Sequence, residues 1–135
     1  MDIFYKNVEK ETLENNNYRN VVYTSKYQQF VYMCLPPLDN IHMEIHKKTD
    51  QFIRIEQGTG KAILNNKEYK LKDGIGLIIP AGCSHEIINT SKTKPLKLYT
   101  IYSPPNHKPK TINRNNPDKK TSKKITSKKT SKKNN

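Results

Sequence analysis

The stretch Gly74-Ile-Gly-Leu-Ile-Ile-Pro80-Ala-Gly82-Cys-Ser-His85-Glu-Ile-Ile-Asn89 decides the fold. It holds two short β-rich runs, 76–79 and 85–88, either side of Pro80-Ala81-Gly82. Each run is too short for a helix, and the Pro and Gly between them mark a tight turn. Two such runs joined by a turn predict a pair of β-strands.

Outward from this stretch the pattern repeats. Strands are predicted over 21–24, 29–35, 41–46, 51–56, 61–64, 67–71 and 96–102. Turn residues separate them: Pro36-Pro37, Lys47-Lys48-Thr49, Gly58-Thr59-Gly60, Asn65-Asn66, Asp73-Gly74 and Thr90-Ser91-Lys92. Asn65-Asn66 suits a two-residue hairpin, because Asn tolerates positive φ. Many short strands at this spacing predict an all-β sandwich or barrel. A short helix is predicted around Val8–Glu14, stopped by Asn15, Asn16 and Asn17. No helical pattern interrupts the strands, which argues against a βαβ fold. Three parts follow: an N-terminal segment, 1–20, packing on the barrel; the barrel itself, 21–106; and a tail, 107–135.

The charge supports that division. The 135 residues carry a formal net charge of +13. Residues 1–106 hold 14 Lys and Arg against 11 Asp and Glu, whereas residues 107–135 hold 11 against Asp118 alone. The basic character therefore belongs to the tail. There the unit Thr-Ser-Lys-Lys occurs three times and almost nothing is apolar, so disorder is expected from residue 107. Lysine blocks attract polyanions such as nucleic acid without sequence preference and can act as a nuclear address.

Cys34 and Cys83 stand 49 positions apart without a CxxC partner, which indicates neither a disulfide framework nor a zinc finger. Cys34 reads as a small core residue and Cys83 as a loop cysteine. The expected compartment is intracellular, cytoplasmic, with no signal peptide and no membrane span.

Candidate metal ligands lie on the strands. Glu44 and His46, two residues apart, point to one face of their strand, and His42 is expected to share that face. Gln51 starts the next strand, and His85 follows the turn at 80–82. A barrel would bring these side chains into one interior. Two imidazoles, a carboxylate and an amide oxygen suit a divalent ion and leave positions open for a ligand. His42 and Tyr102 are the candidate pocket residues. Gly74 and Gly82 read as turn residues, and Arg54 as an exterior salt-bridge partner.

The run Gly74-x5-Pro80-x-Gly82-x2-His85-x3-Asn89 resembles the second signature of the cupin superfamily at every fixed position. The first signature is matched in spacing by Leu38, Glu44, His46, Gln51 and Gly58, with Leu38 for Gly, Glu44 for His and Gln51 for Glu. The run Glu44 to Gly58, with its Asp50-Gln51-Phe52, resembles the small single-domain cupins called mannose-6-phosphate isomerase-like. The resemblance covers residues 1–108. It implies a jelly-roll β-barrel, and Glu44, His46, Gln51 and His85 as ligands to a divalent Mn, Fe, Zn or Ni ion. It also implies a homodimer. The fold does not choose a reaction. The reading is a metal-binding cupin that acts on or binds a small polar, oxygen-rich molecule such as a sugar phosphate, as a metal-dependent isomerase or dioxygenase. The alternative is a non-enzymatic sensor whose tail contacts nucleic acid or another polyanion.

Overall fold

A computed structural model describes residues 1–118. Ten strands follow one short helix: α1 (Val8–Glu14), β1 (Arg19–Thr24), β2 (Gln29–Leu35), β3 (Asn40–Ile45), β4 (Asp50–Gln57), β5 (Thr59–Leu64), β6 (Lys67–Lys72), β7 (Gly76–Ile79), β8 (Ser84–Asn89), β9 (Leu96–Ser103) and β10 (Ile112–Asn113). They form two antiparallel sheets, β10-β1-β2-β9-β4-β7 and β3-β8-β5-β6, arranged as a jelly roll. Period-2 alternation on β8 and on the second half of β9 sends every other residue inward. Val31, Met33, Ile53, Ile55 and Leu98 from the larger sheet meet Ile41, Ala62, Leu71 and Ile87 from the smaller. No helix of the described residues is long and apolar enough to cross a membrane.

β2 is buried on both faces apart from half-buried Phe30, because the N-terminal segment covers its outer side. Phe4 packs on Phe30 at 4.8 Å between ring centroids, and the Tyr32 hydroxyl donates to Glu11 Oε1 at 2.8 Å. Asn7 caps α1 by accepting from the Lys10 amide. At the other end the Lys97 ammonium donates to the Leu13 carbonyl, one of the groups a helix C-terminus leaves open.

Asn65 and Asn66 take φ of +48° and +69°, the left-handed pair a two-residue hairpin needs. Leu38, which replaces the Gly of the first cupin signature, also adopts positive φ, at +63°. Gly suits that position because a side chain is strained there; Leu38 accepts the strain at an exposed turn.

Two expectations are corrected. β3 was expected to keep strict alternation, with His42 beside Glu44 and His46. Instead the register shifts: Ile41 faces Ile87 and Glu44 faces His85, so two residues of β3 oppose the single Glu86. This bulge turns His42 and Met43 to the exposed side, and His42 Nδ1 lies 3.4 Å from Asp118 on the exterior. The tail, in turn, was expected to lose order at residue 107, yet the chain stays packed through 118. β10 pairs with β1, the Asn106 and His107 amides donate to Gln29 Oε1, and Asn116 Nδ2 donates to Asp39 Oδ1 and the Asn40 carbonyl. Composition counts apolar burial, whereas this segment is held by polar pairing to the β1 edge and to buried Gln29 and Asp39. The lysine repeat from 119 onward lies outside the described residues.

Candidate metal centre

The β3 bulge sets the geometry of the candidate site. By adding one residue it aims Glu44 inward, opposite His85 on β8. His46 follows immediately at the end of β3. The turn at 80–82 is pinned to the same loop, since the Gly82 amide donates to the His46 carbonyl at 2.8 Å and the Ala81 amide to Asp50 Oδ1 at 2.8 Å. The two stretches that carry the candidate ligands are thus tied to each other.

Glu44, His46 and His85 come together. One ligand atom from each lies within 4.8 Å of the others. His46 Nε2 is 3.7 Å from Glu44 Oε1, and the two imidazole centroids are 5.0 Å apart. The trio is graded in exposure: His85 is buried, the His46 side chain is 10% exposed and that of Glu44 27%. The group is therefore reachable from the Glu44 side.

The orientation of each ring suits a cation. His85 Nδ1 lies 2.9 Å from the Cys83 carbonyl, which can only accept, so Nδ1 carries the proton and Nε2 presents its lone pair. Cys83 thus meets His85 through its backbone carbonyl, while its thiol lies 3.5 Å from the Ser84 carbonyl. Burial lowers the proton affinity of His46; Glu44 opposes this and His85 adds to it, leaving the ring neutral and able to ligate at pH 7. Gln51, on the inner face of β4, is buried, and its Nε2 donates to Thr100 Oγ1 at 3.0 Å. That bond sets the amide so that Oε1 is left free. Three buried atoms, His46 Nε2, His85 Nε2 and Gln51 Oε1, have no hydrogen-bond partner among the described residues. Buried polar atoms are costly without partners, and the two imidazole nitrogens, beside the Glu44 carboxylate, could hold an ion.

Tyr102 is buried inside the barrel, its ring edge-on to His46 at 5.8 Å. His42, the other candidate pocket residue, is on the exterior. One residue of this region was not expected. His107 packs edge-on to Tyr102 at 5.0 Å, with Nε2 3.3 Å from the Tyr102 hydroxyl. It sits beyond Pro104-Pro105 in a polar stretch, where no periodicity could have placed it inside.

His107 supports a pH prediction. Burial, helped by the charge of Arg19 and opposed by Asp118, lowers its pKa from 6.5 to about 4. Above 6.5 the ring is neutral whether the chain is folded or not. Between 6.5 and about 4 the unfolded chain takes up a proton that the folded one refuses, so stability is lost as pH falls through that window. Urea midpoints of chelator-treated protein are expected to fall from pH 6.5 to 4. The fall should be shallower in His107→Gln; equal slopes would refute the account.

Comparison with known proteins agrees with this architecture. A model described as the cupin domain matches residues 31–102. An uncharacterized protein of Acanthamoeba polyphaga mimivirus is 51% identical over 110 residues, 79% of this chain and 69% of that protein. The uncharacterized protein YrkC of Bacillus subtilis is 41% identical over 110 residues, 77% of this chain but only 59% of YrkC. A solved Bacillus halodurans protein superposes with a TM-score of 0.82 at 33% identity, covering 84% of this chain and 90% of that one.

Proposed function

The chain belongs to the cupin family, and from that premise we propose that it is a metal-dependent cupin. It holds one divalent ion on Glu44, His46, His85 and Gln51, and takes a small oxygen-rich molecule, such as a sugar phosphate, at the ion's remaining positions. The observation that carries this reading is the set of unpartnered buried atoms, His46 Nε2, His85 Nε2 and Gln51 Oε1, with the Glu44 carboxylate beside the two rings. Two imidazoles and two oxygen donors suit Mn, Fe, Ni or Zn, with the oxygen share leaning towards Mn and Fe(II).

A bound ion supplies Lewis acidity to a carbonyl or hydroxyl of the ligand. The chain's own contribution is arrangement. The Cys83 carbonyl fixes the His85 tautomer, Thr100 aims the Gln51 amide oxygen, and the buried Tyr102 ring walls the inner side against water. The more exposed Glu44 marks the side from which a ligand enters. Phe4 covers Tyr23 and Phe30 on the outer face of the larger sheet, and beyond that cover the neighbouring Phe52 and exposed Ile78 support pairing of two copies through this sheet.

The test is elemental analysis of the full chain after chelation, reloading under anaerobic conditions with Mn, Fe(II), Zn or Ni, and removal of free metal. About one ion per chain is expected. A chain that retains none of the four would overturn the proposal.

A further inference from the structure

Among the described residues Arg19 is a buried cation without an anion partner. On β1, Arg19 and Val21 are buried while Val22 is exposed, and Arg19 lies opposite the fully buried Met33. Its side chain therefore belongs to the inner face, with a residue exposure of 7%. Nη1 donates to Asn113 Oδ1 at 2.8 Å, and the guanidinium carbon lies 5.3 Å from the Tyr18 ring centroid. Nε is buried and has no hydrogen-bond partner. Among the described residues no carboxylate forms an ion pair with it.

The guanidinium belongs to the same inward face of the larger sheet as Gln51 and Tyr102, four residue rows along the strands. Its charge lowers the proton affinity of both Tyr102 and His107, the aromatic pair that backs His46. A guanidinium taken out of water needs a counter-charge, and one amide oxygen does not provide it. Glu44 cannot serve both Arg19 and a divalent ion. With an ion bound, the barrel interior therefore carries surplus positive charge.

We propose that Arg19 is the anion-recognition residue of the barrel interior, taking the carboxylate or phosphate group of a small ligand whose other end reaches the ion. The planar fork of Arg matches the two oxygens of either group. The ion-directed half of this proposal rests on the metal-centre reading; the anion contact at Arg19 does not require the ion.

Calorimetry on the full chain, first stripped of metal and then loaded with Mn²⁺, tests it with three probes: malonate, inorganic phosphate and the neutral malonamide. Malonate or phosphate is expected to bind the stripped wild-type chain roughly tenfold or more tightly than malonamide, the tighter anion telling carboxylate from phosphate. Arg19→Met is expected to lose that preference while elemental analysis finds its ion content unchanged. If that variant does not fold, Arg19→Lys decides, because it keeps the charge and lacks the fork: weakened anion binding supports the proposal. Wild-type protein that binds malonamide as well as either anion, or variants that bind the anions as tightly as wild type, would overturn it. Anion binding that survives in a chain unable to hold metal would sink the metal centre and leave Arg19 standing. A loaded chain indifferent to anions would do the reverse.

Discussion

Replacing His46 and His85 together by alanine is expected to leave a folded chain that holds no divalent ion. These rings supply two of the three ligand atoms that lie within 4.8 Å of one another. What remains is Glu44, whose side chain is 27% exposed, and one neutral amide oxygen. Neither competes with water for a first-row ion as imidazole does. Loss of supporting residues alone costs roughly 10–100-fold in metal affinity, and loss of two ligands should exceed that. Folding should survive, because the change removes two unpartnered buried nitrogens, His46 Nε2 and His85 Nε2, along with some packing. Elemental analysis and Co²⁺ titration of both proteins, each checked by thermal melting, measure the difference. Equal ion content in the folded double variant and the wild type would remove the centre from this barrel.

The second large effect is expected at Asn89, far from any metal chemistry. Its side chain is fully buried. Nδ2 donates to the carbonyls of Leu35 at 3.0 Å, Pro36 at 3.0 Å and Lys94 at 2.9 Å, two hydrogens shared among three acceptors. Oδ1 accepts from the Ser91 amide at 2.9 Å. One amide thus joins the end of β2 to the loop between β8 and β9. Alanine would leave several backbone groups without partners at once, each costing about 1–3 kcal/mol. Asn89→Ala is therefore expected to destabilise by about 3–5 kcal/mol, a large part of what a domain of this size has to lose. Asn89→Asp should be no better, since it brings a carboxylate against three carbonyls. Urea unfolding at constant m-value measures the loss. A shift under about 1 kcal/mol would mean that water or relaxation replaces these bonds.

Asn89 also shows how far a linear motif goes. Its place after His85 was legible in the chain, but its task was not, because two of its three acceptors, the carbonyls of Leu35 and Pro36, lie far away in sequence at the end of β2. The same contrast runs through the centre. Glu44, His46 and His85 were identifiable from residue type and spacing, and the structure brings them together. Gln51 was correctly read as an inward residue at the start of its strand, while the Thr100 bond that turns its oxygen free is a cross-strand event. His42 was misplaced because alternation assumes an unbroken pleat, and the extra residue between Ile41 and Glu44 shows only in the pairing with β8. His107 and β10 were missed because their order comes from hydrogen bonds to β1 and Gln29, which leave no trace in apolar periodicity.

The amino-acid sequence alone determined that this is a β-barrel with turns at Asn65-Asn66 and 80–82, and which residue types could hold an ion. Those are local properties: a strand's period and a turn's φ depend on neighbours in the chain. Only the tertiary structure decided which side chains face inward past a bulge, that the Thr100 bond leaves Gln51 Oε1 free, and that Arg19 lies inside without a carboxylate partner among the described residues. Each of these depends on a partner strand or loop brought close by folding, and no span of sequence contains both halves of such a contact.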